Sequence, residues 1–200
     1  MKNIILIALL VTTFYNCKAQ QYIIPLSSDQ ERKDNPDYYL KDTYNDFDNF
    51  IGTWKYENGN TSFKIVLEKR IKFQLSNDEY YEDLLVGRYQ YIENGIEKAN
   101  TLNNFPSNAY DYKILGNSII YKTAPPVCDD CFLMERRIRL GVYHPTEEGT
   151  YGWLYLRYKN DNGVKKLTTI FKEASDFLGS TSPIPIYMDI PNGEYEMIKQ

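Results

Sequence analysis

Apolar and polar residues alternate over most of the chain from residue 61 onward. Along 61–73, Phe63, Ile65, Leu67, Ile71 and Phe73 share one side of an extended chain, broken only at Lys69. Ser62, Lys64, Val66, Glu68, Arg70 and Lys72 share the other side. A period of two marks a strand with one buried face. The same pattern predicts a strand over 132–142, with Phe132, Met134, Ile138, Leu140 and Val142 inward and Glu135, Arg137 and Arg139 outward. Further strands are predicted over 84–92, 112–121, 151–159, 164–172 and 194–199. Turn dipeptides punctuate them at Asn58-Gly59, Asn94-Gly95, Gly116-Asn117, Asn162-Gly163 and Asn192-Gly193. Asn-Gly pairs suit the positive φ angles of tight hairpins. Ahead of these runs the period differs. Leu40, Tyr44, Phe47 and Ile51 are spaced by four, three and four, which predicts one short helix ending at Gly52.

Strands that follow one another through short turns pair antiparallel. About eight of them must hide their edges, and closure does so most fully. The predicted fold is therefore all-β: a single antiparallel meander β-barrel behind a short N-terminal helix, with a two-sheet β-sandwich as the other arrangement. Composition agrees, since nineteen tyrosines suit half-wet pleated surfaces.

The N-terminus has a different character. Lys2 precedes an uncharged apolar run from Ile4 to Phe14, too short to span a bilayer and fitting a secretory signal peptide. Two processing routes are open: cleavage after Ala19, or lipidation of Cys17 as in bacterial lipoproteins. Either predicts an exported protein, secreted or periplasmic in one case and lipid-anchored in the cell envelope in the other. The expected organisation is a signal peptide at 1–19, a polar segment without fixed structure at 20–35, and one barrel domain at 36–200. Removing 1–19 takes away Lys2 and Lys18 and no acid, leaving 21 basic against 27 acidic residues. No basic excess exists to neutralise phosphates, so nucleic acid is not an expected partner.

Phe50-Ile51-Gly52-Thr53-Trp54 stands between the predicted helix and the first strand. This placement resembles the start of lipocalin-like (calycin-type) barrels, where Gly-x-Trp opens the first strand. The match resembles the uncharacterised secreted lipocalin-like families of bacteria. The resemblance covers about twenty residues in motif and the rest in strand pattern, and the Thr-Asp-Tyr mark of typical members is absent. It implies that Trp54 closes the base of the barrel beneath a ligand cavity, with Gly52 at the chain's entry. Arg157 is the basic residue best placed to cap Trp54. Phe63 and Trp153 would join Trp54 in lining a lumen for a small apolar ligand.

Cys128-Asp129-Asp130-Cys131 holds the remaining thiols. Cys128, Cys131 and His144 match the start of a zinc-finger spacing, but the fourth ligand is missing, since positions 147 and 148 are Glu. An extended 132–143 would also place His144 roughly 43 Å from Cys131, beyond any tetrahedral site. Two aspartates between the sulfurs would oppose a reactive thiolate. A local Cys128–Cys131 disulfide without metal is the expectation in an oxidising compartment. With one histidine, no Gly-x-Ser-x-Gly elbow and no phosphate-binding Gly-rich loop, no catalytic set and no cofactor site is predicted. Glu147-Glu148 reads as a solvated turn. Two functions follow: an exported barrel holding a small apolar ligand, or an envelope module with a filled barrel whose Tyr-rich faces meet protein or glycan. In both, contact with membrane would run only through a lipid on Cys17.

Overall fold

Eight strands close on themselves in the computed structural model, which describes residues 21–26, 38–74, 80–174 and 187–200. Two short strands come first, β1 (Tyr22–Pro25) and β2 (Tyr38–Lys41). The ring then runs through β3 (Gly52–Asn58), β4 (Thr61–Phe73) and β5 (Tyr81–Glu93). After β6 (Ile96–Asn100), which lies off the ring, it continues through β7 (Ile114–Ile120), β8 (Arg137–Tyr143), β9 (Tyr151–Asp161), β10 (Val164–Glu173) and β11 (Gly193–Lys199). Ring neighbours are antiparallel throughout. The seam is β11 against β3, with Ile198 opposite Lys55 and Lys199 opposite Trp54. Gln200 N–H extends it by donating to the Thr53 carbonyl at 2.9 Å.

The tight turns follow their dipeptides where a hairpin forms. Asn94-Gly95 and Asn162-Gly163 take positive φ at both residues, as the β5–β6 and β9–β10 hairpins require. Gly116-Asn117 makes no turn. It sits inside β7 at a register shift between Leu115 and Ser118, and the Asn117 amide reaches the Glu82 carboxylate at 2.7 Å. Asn192 acts through its side chain, accepting the Glu173 N–H and so tying β10 to β11.

The barrel's interior is filled by its own side chains. Trp54, Phe63, Ile65, Leu85, Tyr89, Ile138, Leu140, Leu154, Leu156, Leu167 and Phe171 are all fully buried. Phe63 meets the rings of Tyr89, Tyr91 and Tyr195 edge-on, at 6.4, 6.1 and 5.2 Å between centroids. Gly152 is an inward position without a side chain, and Phe171 takes the space: a Cβ there would lie 2.5 Å from the Phe171 ring. A second, smaller cluster of Leu84, Val86, Ala109 and Tyr112 packs on the outer side of β5. This explains why β5 is buried on both faces and does not alternate cleanly.

Four expectations of local structure are corrected. The helix over 40–51 is absent; only Asp46–Asn49 forms a short 3-10 turn. The buried Asp42 carboxylate accepts the N–H groups of Asp46 and Phe47 at 2.8 and 3.2 Å and pairs with Lys69 at 2.9 Å, so a side chain organises the turn. Tyr38-Tyr39-Leu40 instead form β2, which runs parallel to β1 and to the start of β5. The segment 20–35 accordingly contains a strand, β1, and its residues 27–35 lie outside the described residues. Ile71 turns outward and is exposed because the register shifts between Arg70 and Phe73, with Lys72 at φ 52°. Finally, the strand predicted over 132–142 begins only at Arg137, and Phe132, Leu133 and Met134 lie exposed ahead of it.

The early strands are fastened by polar groups. Asp83 accepts the Tyr39 hydroxyl, the Asp42 N–H at 2.9 Å and the Lys72 N–H at 2.8 Å. Arg136 reaches Asp46 at 2.8 Å and the Leu26 carbonyl at 2.9 Å, stacking on Tyr44. Burial and Asp83 together push the Tyr39 hydroxyl well above the ordinary phenol range.

Candidate binding surface

Trp54 closes one end of the barrel. Its indole N–H donates to the Phe50 carbonyl at 2.7 Å, and Tyr158 meets it edge-on. Its cationic neighbour is Lys199, whose Nζ lies 5.2 Å from the ring centroid. Arg157, expected in that role, points the other way: β9 turns Leu156 and Tyr158 inward and Arg157 outward. The Lys199–Trp54 pairing is set by the barrel seam, between residues far apart in sequence, so no local pattern announces it. Gly52, at φ +119°, makes room for it, since a Cβ would sit 3.0 Å from the Lys199 stem. Phe63 lies in the lumen beside the same core. Trp153 does not; it stands on the outer face, because the inward neighbours on β9 are Gly152 and Leu154.

Outside, Arg157 clasps a loop. Its guanidinium donates to both Glu135 oxygens, to the Asp130 carboxylate at 2.7 Å and to the Asp130 carbonyl at 3.2 Å. Lys159 adds a contact to Asp130 at 3.2 Å. The Arg157 and Lys159 hydrogen bonds hold the Asp130 carboxyl at about 2, below its ordinary range. Arg157 also lowers Glu135. The loop is Cys128 to Cys131, whose sulfurs lie 1.98 Å apart, at disulfide distance. Since 132–136 is not strand, the extended-chain separation of Cys131 from His144 does not apply. His144 engages Thr146, Glu147 and Asp189 instead.

His144 lines a cleft of about 670 Å³ at the rim of the barrel, with Tyr110, Tyr112, Tyr143, Glu147 and Glu148. Its Nδ1 accepts the N–H groups of Thr146 and Glu147 at 3.2 and 3.0 Å, leaving Nε2 to carry the proton toward Asp189 at 3.3 Å. From Tyr143 an aromatic row runs along the outer sheet. Tyr143 stacks on Tyr151 at 6.1 Å, Tyr151 meets Trp153 edge-on at 5.7 Å, and the Arg139 guanidinium lies 4.9 Å from the Trp153 centroid. Lys172 sits directly across from Trp153 on β10. The alternation along β9 exposes this row in principle, but which face looks outward emerges only from closure. Cys17 and the apolar run 4–14 lie outside the described residues. No described helix is long and apolar enough to cross a membrane.

The geometry defines a closed antiparallel eight-stranded β-barrel, compatible with a lipocalin-like fold, with extra strands outside the ring. Residues 1–200 match a family described as "Family of unknown function (DUF6705)", and the chain belongs to that family. No curated protein and no solved structure matches it.

Proposed function

We propose that this protein is an exported binding module of lipocalin-like build that engages an envelope protein or glycan through its outer surface. The single observation that carries this reading is the packed lumen: Trp54, Phe63, Tyr89 and Phe171 occupy the space a small apolar ligand would need. A barrel of this strand number is just wide enough for side chains to fill. Export rests on Lys2 and the uncharged run Ile4–Phe14, with Gln20 or a lipid-bearing Cys17 as the mature terminus. The polar clefts and the aromatic row supply the surface such a module would use.

Thermal melting with palmitate as the apolar probe tests this. A ligand that binds only the folded state raises the melting temperature with concentration. The expected result is no shift at any palmitate concentration below its own aggregation. A saturable rise, accompanied by altered tryptophan emission, would transfer function to the lumen.

A further inference from the structure

We infer that the outer face around Trp153 is a binding site for a carboxylate-bearing glycan, a uronic-acid saccharide; this rests on the outer-surface reading above. Four observations converge on one patch. First, Arg139 and Lys172 flank Trp153 and, among the described residues, neither has a carboxylate partner. Other described cations, among them Lys55, Lys69, Arg88, Arg136, Arg157, Lys159 and Lys166, are held by carboxylates of the chain, whereas these two keep their charge for an outside anion. Second, the Arg139 guanidinium is held over the indole, and its Nε is buried without a hydrogen-bond partner. A planar fork positioned this way is suited to a carboxylate.

Third, the Tyr143 and Tyr151 rings continue the row, and among the described residues their hydroxyls donate to no partner. Gly141 leaves the space beneath: a Cβ there would lie 3.0 Å from the Tyr143 ring, which leans across it. Ring faces for C–H surfaces, hydroxyls for hydroxyls and cations for a carboxylate are together the chemistry of an acidic sugar. Fourth, the alternative occupant of a sheet surface, an acidic peptide added as a strand, has nowhere to pair. β8, β9 and β10 are each bonded to a strand on both sides. The site has a direction, since beyond Tyr143 the cleft turns acidic with Asp111, Glu147 and Glu148. The carboxylate belongs at the Arg139–Lys172 end.

The chain's two tryptophans make the test specific, because Trp54 is sealed in the core and Trp153 is only partly buried, on the outer face. An oligogalacturonate titrated into the folded protein should change Trp emission saturably, with calorimetry giving the affinity. A neutral maltooligosaccharide of equal length should bind at least tenfold more weakly. Arg139→Gln should weaken the uronate on the order of tenfold, the loss of a charge-assisted hydrogen bond. Lys172→Gln, at an exposed position, repeats the measurement should Arg139→Gln fail to fold. Equal binding of both saccharides, or indifference to both substitutions, overturns the proposal. A poly-glutamate peptide that binds as tightly as the uronate overturns it in favour of a peptide site. Absence of any saccharide binding overturns it while leaving the outer-surface reading intact, which fails only on the palmitate melt.

Discussion

Trp54 shows how much one side chain holds. It is fully buried, its N–H is satisfied by Phe50, and its face is covered by Lys199. Trp54→Ala removes a large ring from a packed interior and leaves a cavity that neighbours fill only in part. The expected loss is about 3–5 kcal/mol, read from the shift in urea midpoint. A variant as stable as the parent would mean that the end of the barrel is not closed by this residue. Gly-x-Trp made this role legible from the sequence. Its partner was not legible, because Arg157 and Lys199 are both basic residues late in the chain. Only the register of β11 on β3 decides between them.

Among the elements, the long strands declared themselves and the short ones did not. β4, β9 and β10 alternate because one face meets the core and the other meets water, and Asn-Gly turns mark the hairpin ends. β2 was misread as helix because Leu40 and Phe47 happen to fit a helical spacing while Tyr44, between them, stands exposed. What organises that region is Asp42 and Asp83, buried acids that bind Lys69 and Lys72 of β4 and Tyr39 of β2, and a one-dimensional pattern carries no such information. The Phe132–Met134 run failed for the same kind of reason. The Arg157 clasp on Asp130 and Glu135 holds that stretch off the sheet.

The clasp carries its own pH dependence. Asp130 titrates lower in the folded state than its ordinary 3.8, at about 2. Its contribution is therefore complete above the unfolded value and is lost as pH falls through the folded one. The stability difference between the parent and Arg157→Gln should shrink as pH drops from about 4 to about 2, followed by urea denaturation. A difference that stays constant across that range would show that the Asp130 contact adds nothing. Because Asp130 is fully exposed, salt should diminish the effect as well.

At the scale of the whole molecule, the barrel depends on a seam of few residues. Ile198 and Lys199 pair with β3, and Gln200 adds one bond to Thr53. Deleting residues 198–200 should uncover the edges of β3 and β11 together, and exposed edges invite pairing between chains. The expected outcome is a lower melting temperature with concentration-dependent association by light scattering. A monomer with unchanged melting would show that the β10–β11 and β3–β4 hairpins hold the shape without the seam. The filled interior and the seam belong to one design: side chains fix the diameter, and the last strand locks it.

That seam also sets an order in time. Residues 54 and 199 are 145 positions apart, so a polypeptide emerging from its N-terminal end carries β3 with one side unmatched until β11 has been made. Pairings so distant in sequence form slowly. Closure of the ring thus waits on β11, the last of its eight strands in chain order, and cannot precede it.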